Sequence, residues 1–298
     1  MARRLLTKVS PLAFPLVMPG VAGHGRARSH ERRHRSRRVE GRAEVLRLSL
    51  GLAVKTIGIL GGMGPAATAD FYSRLTVATA ATRDQEHLHV IIDSCPQVPD
   101  RNAFLLGQGP DPTPMLIRMA AGLESLGAEL LVMACNTASA FIPAVAASVS
   151  VPVVDWPAET AAATVRTVAG LTKIGILSTT GTARVGIFAK AFDQFGIEVI
   201  HPTEKSQLRV MQVIGRVKIQ SHAAADLRTI DQIGRELAHA GANAVLLACT
   251  ELSLLQRGKV SQWDCPTLDS SQLVAERTAY MAGAPRRVPV WPSGSSGG

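Results

Sequence analysis

LGAELLVMACNT (residues 126–137) and AGANAVLLACTE (residues 240–251) decide the fold of this 298-residue chain. Each holds a five-residue apolar run, LLVMA or AVLLA, that leads into Ala-Cys and then into polar residues. Uninterrupted apolar runs of this length belong to strands buried on both faces, as in a parallel sheet covered by helices. A second pair stands upstream of the first: KTIGILGGMG (residues 55–64) and TKIGILSTTG (residues 172–181). The strand glycines Gly58 and Gly175 lie 117 positions apart, and the cysteines Cys135 and Cys249 lie 114 apart. Two separate blocks repeating at nearly one offset point to two copies of one α/β half.

Working outward, apolar runs alternate with helix-length segments. Strands are expected at 55–60, 90–93, 130–134 and 153–154, then at 173–177, 198–200 and 244–248. Helices are expected at 66–81, 113–126, 158–168, 185–195 and 226–240. The fold class is therefore α/β: two similar domains, each with a parallel sheet of about four strands, related by a pseudo-twofold duplication. A cleft between them is expected to hold the site. The first domain covers 54–156 and is joined by a C-terminal helix within 265–283; the second covers 157–264. A flexible tail follows from 284.

Composition excludes several function classes. Apolar residues make up 46% of the chain and charged ones 18%, which suits a packed core rather than a disordered chain. The formal charge of +9 suggests nucleic acid, but residues 1–50 hold 12 Lys or Arg against 3 Asp or Glu and carry all of it. The remainder is neutral and offers no field to steer a polyanion. The basic segment 1–53 reads either as a disordered, transit-like sequence or as an upstream extension. No apolar run is long enough to span a membrane. The four cysteines form no CxxC pair, so a metal site is not expected, and reduced thiols in a cytoplasmic setting are. Cys95 and Cys265 have no counterpart in the repeat and read as structural.

Chemistry is expected where ligands bind open α/β sheets, outside the carboxyl ends of the strands. Cys135 and Cys249 both stand there. Two thiols facing each other across a cleft suit a reaction that removes a Cα proton from one face and returns one to the other. One must act as thiolate and one as thiol, and thiol pKa values make both forms reachable. Asn136, Thr137 and Thr250 offer donors for a substrate carboxylate as the carbanion forms. Glu251 binds an amino group, biases the thiol or caps the next helix. GGMGP is not a phosphate loop, since no Gly-Lys-Ser/Thr follows. Its glycines instead turn the chain tightly and line the cleft, and Pro65 starts a helix.

Seven motifs run in order through residues 54–283: IGILGGMGPAAT (57–68), RDQEH (83–87), PQVPDR (96–101), ACNTA (134–138), TTGT (179–182), PTE (202–204) and LLACTEL (246–252). In these the chain resembles the aspartate/glutamate racemase family, its aspartate racemases most of all. The resemblance implies racemisation of aspartate without pyridoxal phosphate or metal, with Cys135 and Cys249 as the acid/base pair. It places Arg101 and Lys218 on substrate carboxylates, Asn136, Thr137, Ala138 and Thr250 around the substrate, and Gly62, Met63, Gly64, Thr180 and Glu251 along the cleft. No cofactor is implied. The partner is a small amino acid rather than nucleic acid or membrane, and dimers are common among similar proteins. Two features depart from the family pattern. Ser139 stands where CNTAH carries histidine, and the stretch leading to Lys218 is one residue short. Three alternatives remain: a racemase of glutamate or of broader range, a maleate-type cis–trans isomerase, and a non-catalytic protein that binds an acidic amino acid.

Overall fold

The computed structural model describes residues 54–258 and 263–284, all within one compact unit. The basic segment 1–53 and the tail 285–298 lie outside the described residues; Ala284, expected to begin the tail, is buried. The first sheet contains β1 (Ile57–Gly61), β2 (Val90–Ser94) and β3 (Leu130–Met133), ordered β2-β1-β3 and all parallel. Its helices are α1 (Pro65–Ala78), α2 (Arg101–Leu105), α3 (Thr113–Ser125), α4 (Ile142–Ala146) and α5 (Trp156–Thr167). The fourth strand expected at 153–154 shrinks to a single bridge between Leu131 and Val153. Pro152 has no N–H to extend the ladder, and α5 begins at Trp156.

The second half runs through β4 (Lys173–Leu177), α6 (Thr180–Arg184), α7 (Ile187–Asp193), β5 (Glu198–Ile200), α8 (Glu204–Lys218), α9 (Ala224–His239), β6 (Ala244–Leu247), α10 (Thr250–Leu255), β7 (Thr267–Asp269) and α11 (Ser270–Met281). Its sheet is parallel, ordered β5-β4-β6-β7. The helix expected at 185–195 is present as α7, beginning at Ile187: Gly186, in left-handed backbone (φ 67°), separates it from the short α6 before it. The segment from 265 to 280 is not helix alone. Residues Thr267–Asp269 first add an edge strand to the second sheet, and α11 then packs on α1 and α5.

The apolar runs are continuous because both faces of each strand are covered. Ile57, Ile59, Leu130 and Val132 share one core with Ile174, Ile176, Ala244 and Leu246, so the inner faces of both sheets meet the same cluster. The alternate residues face outward, Leu60, Leu131 and Met133 beneath α3, and Leu177, Val245 and Leu247 beneath α8 and α9. The repeat is visible in the packing as well. A Cβ on Gly58 would stand 2.6 Å from Leu131 and 2.8 Å from Ala128; one on Gly175 would stand 2.9 Å from Leu237 of α9. Each glycine lets a helix close onto its central strand. Beyond each of these strands, the Ala134 N–H donates to Leu60 O at 2.9 Å and the Ala248 N–H to Leu177 O at 2.8 Å. The next residue is the cysteine in both cases.

Gly62 is the sharpest steric constraint between β1 and α1. Its φ is +86°, and a Cβ there would run into the backbone of Cys95. The Gly62 N–H is also tied to Thr68 Oγ1 at 2.9 Å. Gly62→Ala is therefore expected to cost about 2–5 kcal/mol, from left-handed strain and overpacking together. Gly64→Ala, where a Cβ would meet only Glu251 at 3.5 Å, is expected to cost below about 1 kcal/mol. Urea unfolding of the two variants checks the difference, and equal midpoints would refute it.

Candidate active site

The carboxyl ends of both sheets open onto one cavity of about 210 Å³. The two cysteines lie in its wall, Cys135 just past β3 and Cys249 just past β6, only 5% and 3% exposed. Both carry free thiols. Asn136 and Thr137 follow the first cysteine into the wall, and Thr250 and Glu251 follow the second.

The least expected wall is α8. No helix was expected over Glu204–Lys218, because its sequence EKSQLRVMQVIGRVK is rich in polar residues. Its apolar positions nevertheless recur at helical spacing: Val210, Val213, Ile214 and Val217 are buried. Thr203 caps it by accepting from Ser206 N at 3.3 Å. Met211, Ile214, Gly215 and Lys218 lie at i, i+3, i+4 and i+7, one face of the helix, and all four line the cavity. The helix thus turns Lys218 toward the cavity that holds both cysteines.

Two of the charges in the cavity pair with each other. Lys218 Nζ lies 3.3 Å from Glu251 Oε1. Cys249 Sγ donates to Glu251 Oε2 at 3.1 Å, and Thr250 Oγ1 donates to the same oxygen at 3.2 Å. Burial pushes the Cys249 thiol well above its usual value, and the Glu251 charge adds to this while Lys218 opposes it. Burial also works against the charge of Lys218, but the Glu251 carboxylate and the two neighbouring sulfurs, Cys135 and Cys249, outweigh it and hold the ammonium above its usual value.

Arg101 is only partly free. Its Nη1 donates to Val98 O at 3.0 Å and to Pro99 O at 2.9 Å, and its Nη2 to Met63 O at 3.2 Å. A guanidinium has five N–H donors, so two remain, and the buried Nε is one of them. The fork that a carboxylate would meet is thus the edge carrying Nε, not the Nη1–Nη2 end. Asn136 accepts from Ser270 Oγ at 2.9 Å through Oδ1, which leaves its buried Nδ2 without a partner. The Thr137 hydroxyl is occupied: Thr137, Thr179 and Thr182 close a ring of hydroxyls at 2.9–3.1 Å that joins the two halves.

Four expected site residues do not line the cavity. Ala138 is fully buried in the 3-10 turn Thr137–Phe141, its side chain packed with the α3 core. Gly62 is pressed against Cys95, and Gly64 serves as the N-cap of α1 beside Glu251. Thr180 starts α6, where its N–H meets Met211 Sδ at 3.4 Å and its hydroxyl accepts from Gln207 at 3.3 Å. Met63 does line the cavity, as expected. The structure adds Asp100, Asn102, Thr179 and the α8 face. Asn102 Oδ1 accepts from Gly181 N at 2.7 Å and so holds α2 to α6 across the cleft. The STTG repeat of GGMG was the available sequence signal for Thr179; nothing singled out Asn102.

The profile of the family described as Asp/Glu/Hydantoin racemase matches residues 60–278 of the chain. The broad specificity amino-acid racemase RacX of Bacillus subtilis (strain 168) is 28% identical over 236 residues, covering 76% of this chain and 98% of its own. Among solved structures, the Picrophilus torridus aspartate racemase superposes with a TM-score of 0.68 at 28% identity, covering 78% of this chain and 96% of that one. An aspartate racemase homologue from Pyrococcus horikoshii OT3 shares the fold, with a TM-score of 0.61 at 24% identity over 76% of this chain and 99% of its own.

Proposed function

Because the chain belongs to the Asp/Glu/hydantoin racemase family, we propose that it interconverts L- and D-aspartate by moving one proton between Cys135 and Cys249 without a cofactor. The halves 54–156 and 157–264 act as its two domains. The observation that carries this reading is the placing of two buried thiols and two cations, Arg101 and Lys218, around one small cavity. A dicarboxylate needs two cationic contacts, and charge-assisted hydrogen bonds of this kind are the strong ones. Arg101 binds one carboxylate through its Nε edge and Lys218 the other. Asn136 Nδ2 supplies a further donor toward the charge that builds as Cα loses its proton.

The proton moves in two steps. One thiolate takes the Cα proton from its face, and the opposite thiol delivers its own to the other face. When Cys249 is the thiol, its partner must be the thiolate, and the product leaves the two exchanged. The active site works only while both thiols stay reduced, which fits a cytoplasmic setting.

A second reading, tolerance of a wider range of amino acids, is favoured by the apolar wall of Met63, Met211 and Ile214. Methionines adapt to different side chains, and RacX is described as broad in specificity. Incubation in deuterated water without pyridoxal phosphate tests both readings. Aspartate is expected to gain deuterium at Cα as its enantiomer appears. Comparable exchange of alanine or another apolar amino acid would favour the second reading. No exchange with any amino acid, in a folded protein, would overturn both.

A further inference from the structure

We propose that Glu251 and Lys218 form the route by which Cys249 returns its proton to solvent between turnovers. The inference rests on the two-thiol reading. A two-base racemase releases product in a different protonation state from the one in which it bound substrate. After a turnover that protonates Cys249, that residue is the thiol and Cys135 the thiolate. The opposite arrangement must return before the same enantiomer is processed again. One proton must therefore leave a sulfur that is 3% exposed.

The path is laid out in contacts. Cys249 Sγ donates to Glu251 Oε2 at 3.1 Å, and the other oxygen of that carboxylate lies 3.3 Å from Lys218 Nζ. Glu251 is as buried as the thiol, while the Lys218 side chain is 34% exposed and reaches solvent. Thr250 Oγ1 holds the carboxylate in place from the side, at 3.2 Å. Among the described residues no carboxylate is hydrogen-bonded to Cys135, so the arrangement belongs to one thiol of the pair.

The steps balance. Glu251 takes the proton from Cys249 Sγ, leaving a thiolate and a neutral carboxyl. Lys218 gives one ammonium proton to water and, as the amine, takes the carboxyl proton once that group has turned. Glu251 is then again a carboxylate and Lys218 an ammonium; one proton has passed from Cys249 to water. The Cys135 thiolate takes a proton from water in the empty cleft.

A tracer experiment tests the relay. Carbon-labelled racemic aspartate is equilibrated with the enzyme, and excess unlabelled L-aspartate is added. With a fast reset the label stays evenly divided. With a slow one, enzyme left in the form produced by L-to-D turnover captures labelled D-aspartate, and label moves transiently into L-aspartate. Glu251→Gln keeps the shape but carries no proton. It is expected to show the transient at a substrate concentration at least about tenfold lower than the native chain, a conservative figure beside the roughly 10²–10⁴-fold that a positioned proton-transfer group contributes. Equal thresholds, with Cα exchange intact in both proteins, would overturn the relay. Absence of Cα exchange in the native chain would instead overturn the two-thiol reading. Should Glu251→Gln fail to fold or lose exchange, Glu251→Asp takes its place. Its shorter carboxylate is expected to lower the threshold by a smaller factor, and a native threshold there would also overturn the proposal.

Discussion

Cys135→Ala is expected to slow racemisation in both directions by about 10³-fold or more, and Cys249→Ala to do the same. Each thiol removes the proton in one direction and supplies it in the other, so neither direction survives the loss of one. Exchange at Cα should survive in part. The variant that keeps Cys249 can still deprotonate and reprotonate the enantiomer whose Cα–H faces that sulfur; the variant that keeps Cys135 can do so for the opposite one. In deuterated water each variant is therefore expected to label a single enantiomer, and the two variants opposite ones. Both cysteines are buried, so thermal melts are needed to show that the loss is chemical. Removal of one sulfur should cost on the order of 1 kcal/mol, well short of unfolding the chain. Racemisation within about tenfold of native in either variant would remove that thiol from the mechanism. Labelling of the same enantiomer by both would show that the thiols do not face opposite sides of Cα.

The central strands were legible because the physics of burial repeats itself in them. The IGIL of residues 57–60 and that of residues 174–177 are apolar at every position except a glycine, and the structure shows why: one face enters the shared core, the other an outer core, and the glycine admits a helix. The cysteines were legible for the same reason, as the first reactive groups beyond paired buried strands. Helix α8 was not, because half its residues are polar and its buried stripe is valine and isoleucine, which read as strand formers out of context. With α8 unrecognised, the approach of Lys218 to Glu251 had no basis in the sequence. Edge strand β7 is three residues long and gives no period. Side-chain commitments were out of reach altogether. That Arg101 donates to the Met63 carbonyl, or that Thr137 joins a hydroxyl ring with Thr179 and Thr182, depends on contacts between segments distant in the chain.

The same distance hides the ionic cluster beneath the second cysteine, and Arg74→Met is expected to expose what it does. Arg74 of α1 is buried and binds Asp70 Oδ2 at 2.6 Å, Asp269 Oδ2 at 2.8 Å and the Ser253 carbonyl at 3.1 Å. Ser253 sits in α10, donates to Asp269 Oδ1 at 2.6 Å and lies 3.4 Å from the Cys249 carbonyl. The guanidinium therefore ties three segments together: α1, the start of α11 and the turn that presents Cys249. Removing it leaves Asp70, 4% exposed, with only the half-exposed Arg257 at 2.8 Å. Breaking a buried pair costs about 3–5 kcal/mol, and the lower end applies where Arg257 remains, which is a fall in Tm of about 10 °C for a chain of this size. The length of methionine preserves most of the packing, so the loss reports on charge and hydrogen bonds. In the folded fraction at low temperature, kcat is expected to fall more than KM rises, because Cys249 is displaced while Arg101 and Lys218 are not. A double variant, Asp70→Asn with Arg74→Met, should recover part of the stability by removing the stranded carboxylate but none of the lost kcat. Recovery of both together would assign the cluster to stability alone, and an unchanged Tm in Arg74→Met would show that Arg257 suffices to neutralise Asp70.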